Sequence, residues 1–156
     1  MNYNRDAAVR YAQDWALSRN PKYADFHTMG GDCTNFVSQC LYAGGHEMNF
    51  TPMFGWYYIS LNERTPSWTG VEQLFAFLTQ NEGAGPSAEI ARIEELVEGD
   101  VIQLGNGLRW YHTLLVTGLY PEIVVCAHDF DALNRPLSTY TALEMRGLHI
   151  RNQVGE

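Results

Sequence analysis

Lysine is nearly absent from this chain: of 10 basic residues only Lys22 is a lysine, and against 18 acids they leave a formal charge of −8. Phosphate binding needs a basic stripe and none is present, so no nucleic-acid partner is expected. No run of about 18 apolar residues exists, so no membrane insertion is expected. The opening Met1-Asn2-Tyr3-Asn4-Arg5-Asp6 lacks the apolar core of a signal peptide. Its absence reads as a cytoplasmic protein, or as a domain excised from a longer secreted one. Cysteine is scarce and odd in number. Cys33, Cys40 and Cys126 cannot all pair within one chain, which favours reduced thiols. Missing motifs narrow the chemistry further. Without G-x-S-x-G there is no serine-hydrolase elbow, and without H-E-x-x-H or C-x-x-C no zinc signature. No phosphate- or dinucleotide-binding glycine motif occurs. Asp129 and Asp131 are too few ligands for a calcium loop. No cofactor and no metal are therefore expected.

What is present suffices for a packed domain. With 156 residues, 46% hydrophobic and 18% charged, the chain reads as a single domain over residues 1–156, and global disorder is excluded. The acidic excess is local. Residues 41–100 hold nine acids and two bases, −7 of the −8, which reads as a solvated face.

Tyr3, Ala7, Tyr11 and Trp15 recur at helical spacing and predict a helix over 3–18, ended by Asn20-Pro21. A second helix starts at Asp32 or Cys33 and stops at Gly44-Gly45. A third runs from about 70 to 80. Residues 46–68 are irregular and rich in aromatics, either a wall for a substrate cleft or a second small core. From Gly99 the period becomes two. Strands are expected at Val101–Leu104, Tyr111–Thr117, Ile123–His128 and Leu148–Arg151, with Gly105-Asn106-Gly107 as a hairpin turn. Helices first and antiparallel strands second is an α+β pattern.

The chemistry concentrates at Gly30-Gly31-Asp32-Cys33-Thr34-Asn35-Phe36. A cysteine at a helix start meets the positive end of the backbone dipole and unpaired amides, which favour the thiolate. The same amides can hold an oxyanion. Cys33 is therefore a candidate nucleophile, with an inert small hydrophobe as the alternative. Cys40 and Cys126 are expected to be buried and inert. A nucleophilic thiol needs a base, and the base an orienting group. His112 opens an alternating strand and His128 ends the next, so hairpin pairing would make them neighbours at one end of the sheet. His27, His46 and His149 read as structural or exposed.

The stretch Asp32-Cys33-Thr34-Asn35-Phe36-Val37 resembles the D-C-[ST]-x-[FL]-[VA] motif of the NlpC- and CHAP-type papain-like cysteine peptidase superfamily. Glu98-Gly99-Asp100-Val101-Ile102, His112-Thr113-Leu114-Leu115-Val116-Thr117-Gly118 and Val124-Val125-Cys126-Ala127-His128 are similar to its later strands. Tyr11-Ala12, Trp15-Ala16, Asn20-Pro21 and Gly30 through Gly45 resemble, more narrowly, the putative amidase domain family. The resemblance implies a papain-like fold, with the nucleophile at a helix N-terminus packed on an antiparallel sheet. It implies a cysteine amidohydrolase or peptidase acting on a peptide or amide, with peptidoglycan fragments as one candidate substrate. Cys33 is then the nucleophile, His112 the general base and His128 the group that orients it. Asp129 is the second choice for that last role, and Tyr23 a candidate near the oxyanion. A non-catalytic ligand-binding module and an acyl transferase of the same fold are the competing readings.

Overall fold

The computed structural model describes residues 2–152. In chain order the elements are α1 (Arg5–Trp15), α2 (Cys33–Ala43), β1 (Tyr58–Ser60), β2 (Glu63–Arg64), α3 (Pro66–Thr69), α4 (Val71–Gln80), β3 (Ala88–Ala91), β4 (Val101–Gly105), β5 (Trp110–Gly118), β6 (Val124–Ala127), β7 (Ala132–Pro136) and β8 (Glu144–Ile150). Helix α1 is shorter than its apolar stripe predicts. Asn4 caps it, accepting from the Ala7 N–H at 3.0 Å. Tyr3 therefore stays outside the helix, where its N–H meets the Asn152 carbonyl and its hydroxyl the Gly99 carbonyl.

Strands β3 to β8 form one antiparallel sheet in the order β3-β8-β4-β5-β6-β7. Two of these were not expected. β3 falls in the acidic stretch and β7 follows the His128 turn; both are sheet edges, with exposed residues that blur the two-residue alternation. β8 begins at Glu144, four residues before its expected start. The fold is the mixed α+β arrangement that the element pattern predicts.

The sheet has a different core on each face. Val101, Leu115, Cys126, Leu148 and Ile150 face the helices and join Phe36, Val37, Cys40 and Leu41 of α2. Ile102, Leu104, Leu114, Val116, Val125 and Ala127 pack on the other side with Leu96, Ala132 and Leu137. The aromatic segment resolves in favour of the main core. Trp56 and Trp68 are fully buried, 4.5 Å apart between ring centres. Their indole N–H groups reach Ser38 Oγ (3.1 Å) and Asn35 Oδ1 (3.0 Å) on α2. A buried indole needs such a partner, and α2 supplies both. Cys40 and Cys126 are buried in this core as expected, and all three thiols are free. Among the described residues no helix is long and apolar enough to cross a membrane.

Candidate active site

The helix carrying Cys33 is entered through two left-handed residues. Gly30 and Gly31 have φ of +97° and +107°, which glycine alone adopts without cost. At Gly31 a Cβ would lie 2.8 Å from Asp129 Oδ2, so that carboxylate also closes the position to larger residues. Asp32 is the N-cap residue but makes no side-chain cap bond. Its Oδ1 instead accepts from the Phe26 N–H (2.8 Å) and Asn35 Nδ2 (2.9 Å), and its Oδ2 takes His128 Nδ1 at 2.5 Å. The first-turn amides of α2 are thus left without a side-chain cap. Burial pushes the Asp32 carboxyl up, but His128, Asn35 and the Phe26 amide outweigh it and hold it below its ordinary value.

Strand register decides where the sulfur sits. Leu115 pairs with Cys126 and Val116 with Val125. The same register would set Thr113 opposite His128 and His112 opposite Asp129, but β6 ends at Ala127. The β5 edge is therefore uncovered at 112–113. Val116 exchanges its N–H and C=O with the β4 side, at Asp100 and Gly99. By alternation the Thr113 N–H points to the vacated side. The start of α2 reaches this stretch of β5 through Thr34, and the Thr113 and Thr34 backbones favour the charged form of the Cys33 sulfur. The side chains join too: Thr34 Oγ1 lies 2.8 Å from Thr113 Oγ1 and 3.8 Å from Cys33 Sγ.

Burial shifts the helix-start thiol away from ionisation. Burial pushes it up; the Thr113 and Thr34 groups pull it down, Asp129 adds to the rise, and burial wins. Desolvation outweighs the helix-start dipole for a sulfur only 6% exposed. Burial likewise lowers His112, opposed by Asp129 and aided by Arg135. Thiol and imidazole are both shifted toward their neutral forms.

His112 and His128 do not meet as expected. The register is offset by one residue, so they lie on opposite faces. His112 goes with Leu114 and Val116, and His128 with Cys126. His128 is 1% exposed and stacks on Phe36 at 4.1 Å between ring centres. Both its nitrogens are committed, Nδ1 to Asp32 and Nε2 to the Trp15 carbonyl at 2.7 Å. Neither is left to orient His112. His112 itself makes no side-chain hydrogen bond among the described residues, and its ring lies 6.3 Å from that of Tyr140 and 6.5 Å from that of Tyr111. The Tyr140 hydroxyl is buried without a partner. Asp129 is the carboxylate whose charge reaches both Cys33 and His112. Its Oδ2 accepts the Asp32 N–H at 2.7 Å and its Oδ1 meets His27 at 3.1 Å.

Tyr23 stacks on Trp68 at 6.1 Å and tilts on Tyr58 at 5.1 Å, and burial pushes its phenol up to about 12. Asp131 is held by a two-pronged contact with Arg19, at 3.0 and 3.1 Å. No group of three His, Cys, Asp or Glu able to hold a metal exists among the described residues. A groove of about 580 Å³ lies beside the aromatic segment, lined by Asn49, Met53, Phe54, Gln73 and Phe77, and includes none of Cys33, His112 or His128. Sequence reasoning missed Thr34, Thr113 and Gln103, whose only signal was polarity at positions facing the core.

Comparison with known proteins adds the family context. The family described as "Putative amidase domain" matches residues 2–151. The "Uncharacterized protein YhbB" of Bacillus subtilis (strain 168) is 36% identical over 119 residues, which is 73% of this chain and 37% of that protein. The match thus spans little more than a third of that relative's length. No solved structure matches.

Proposed function

Because this chain belongs to the family described as "Putative amidase domain", we propose that it is a cysteine-dependent amidohydrolase of papain-like fold and NlpC/CHAP-type ancestry. The observation that carries this reading is the docking of the start of α2 on β5, where Thr34, next to Cys33, lies 2.8 Å from Thr113, next to His112.

The reaction follows from two neutral partners. Cys33 attacks the amide carbonyl as His112 takes the thiol proton. The carbonyl oxygen becomes an oxyanion, held by the uncapped amides at the start of α2. His112 then protonates the leaving amine and a thioester remains. Water, deprotonated by His112, releases the acid and restores the thiol. Proton transfer makes an imidazolium, and Asp129 is the carboxylate that favours it. Asp129 thereby takes the role that sequence reasoning gave first to His128. The substrate is a peptide or simple amide, with peptidoglycan fragments as one class to screen.

The test is limiting iodoacetamide near neutral pH with mass-spectrometric mapping, beside hydrolysis assays on simple amides and muropeptides. Cys33 is expected to react ahead of Cys40 and Cys126, and Cys33→Ala to abolish hydrolysis with little change in melting temperature. Preferential labelling of either other cysteine defeats the reading. Product formed only when an amine acceptor is supplied redirects it to acyl transfer.

A further inference from the structure

The sulfur of Cys33 stands at the end of a buried chain of hydrogen bonds that begins at Arg146. Arg146 donates from Nε and Nη2 to Gln103 Oε1, at 2.9 and 2.7 Å. Gln103 Nε2 donates to the Val71 carbonyl (2.9 Å) and to Thr113 Oγ1 (3.3 Å). Thr113 Oγ1 lies 2.8 Å from Thr34 Oγ1, which lies 3.8 Å from Cys33 Sγ. Gln103, Thr113 and Thr34 are all fully buried.

The direction of this chain is forced at both ends of the amide. A guanidinium only donates, so Gln103 must present its oxygen to Arg146. The Val71 carbonyl only accepts, so the amide nitrogen faces Thr113. Once Thr113 Oγ1 has accepted from that nitrogen, its own proton is free for Thr34. Thr34 then has its proton left for the sulfur. The arginine and the carbonyl fix the Gln103 amide, and its nitrogen biases the two hydroxyls to donate toward the sulfur. Chains aligned this way polarise one another, and each donor is strengthened by the one behind it.

We propose that Arg146, Gln103, Thr113 and Thr34 form a directed donor relay that presents the Thr34 hydroxyl proton to Cys33 and stabilises its sulfur as it gains negative charge. The relay rests on the reading of Cys33 as nucleophile. Arg146, Gln103 and Thr113 are positioning residues, since only Thr34 brings a side-chain donor to the sulfur. The other charges acting on this site are Asp129, which opposes a thiolate, and those of Glu72 and Glu144 on Arg146 itself. His112 lies next to Thr113 on β5.

The experiment measures iodoacetamide alkylation of Cys33 against pH in the full chain, which reads the thiol without needing a substrate. Thr34→Val deletes the donor and is expected to slow alkylation at pH 7 about tenfold and to move its pH midpoint upward. Thr34→Ser keeps the hydroxyl and restores the rate. Gln103→Glu replaces the donor to Thr113 by an acceptor, so the two hydroxyls reverse and the sulfur loses its proton donor. A similar slowing is expected, and none beyond it when Gln103→Glu is added to Thr34→Val. The relay is overturned if Thr34→Val alkylates like the wild type. It is equally overturned if Gln103→Glu slows alkylation as much in the Thr34→Val background as alone. The Thr34 pair decides the matter even where Gln103→Glu does not fold. A relay that holds in a protein hydrolysing no amide would defeat the proposed function and leave the relay standing.

Discussion

Two histidines at the same end of the sheet have opposite surroundings. His128 is enclosed, with one nitrogen on the Asp32 carboxylate and the other on the Trp15 carbonyl. Both ring nitrogens are thus occupied, and neither is left to pass a proton to or from His112. His112 is also largely buried, yet its side chain has no hydrogen bond among the described residues. A histidine whose nitrogens are both bonded is a structural tie; one whose nitrogens are free can move a proton. Burial alone would have ranked the two alike.

The sharpest way to break this contrast is to truncate each in turn. His112→Ala is expected to lower amide hydrolysis about 10³-fold, within the range for a general acid–base group, with the melting temperature nearly unchanged. His128→Ala takes the imidazole from the buried Asp32 Oδ2, leaving it Arg19 at 3.6 Å, and empties the space against Phe36; it is expected to cost about 3 kcal/mol. For a chain of this size that lowers the melting temperature by roughly 10 °C. An unchanged melt with lost activity in His128→Ala would return His128 to the reaction.

A third histidine extends the comparison. His46 is buried with neither ring nitrogen bonded, and burial, aided by Arg5, lowers it to about 4. In the unfolded chain it titrates near 6.5. Between those values the unfolded chain binds the proton and the folded one does not. Stability is therefore intact above pH 6.5 and falls as pH drops towards 4, by about 3 kcal/mol from this group. Denaturant melts at pH 7 and 4.5, compared with His46→Phe, read the difference; a variant with the same pH slope excludes His46 as its source. The smallest expected effect concerns His112. Its lowered affinity for a proton moves the acid limb of hydrolysis below pH 6.5, since the base must be neutral to act. An acid limb above 6.5 would mean that Asp129 outweighs desolvation.

Much of the site's frame was readable in the residues, and its wiring was not. Gly30-Gly31 and Gly44-Gly45 bracket α2 because few other residues fit the turns there, so both ends of that helix were visible. The β4–β5 hairpin followed from Gly105-Asn106-Gly107 in the same way. The pairing of β5 with β6 was visible, but its register was not. A one-residue offset transfers every side chain to the other face, and it separated His112 from His128. Trp56 and Trp68 could not be assigned to a core because their partners, Ser38 and Asn35, lie on a helix read from apolar spacing alone.

By itself, the sequence determined the local elements, the helix-then-sheet order and the placing of one cysteine at a helix start. Each depends on neighbours a few residues apart, through glycine dihedrals and side-chain periodicity. Tertiary structure alone decided which groups surround that cysteine. Asp32 and His128 are 96 residues apart, and Thr34 and Thr113 are 79 apart. Contacts at such separations depend on register and desolvation, which belong to the packed molecule and leave no local trace in the chain.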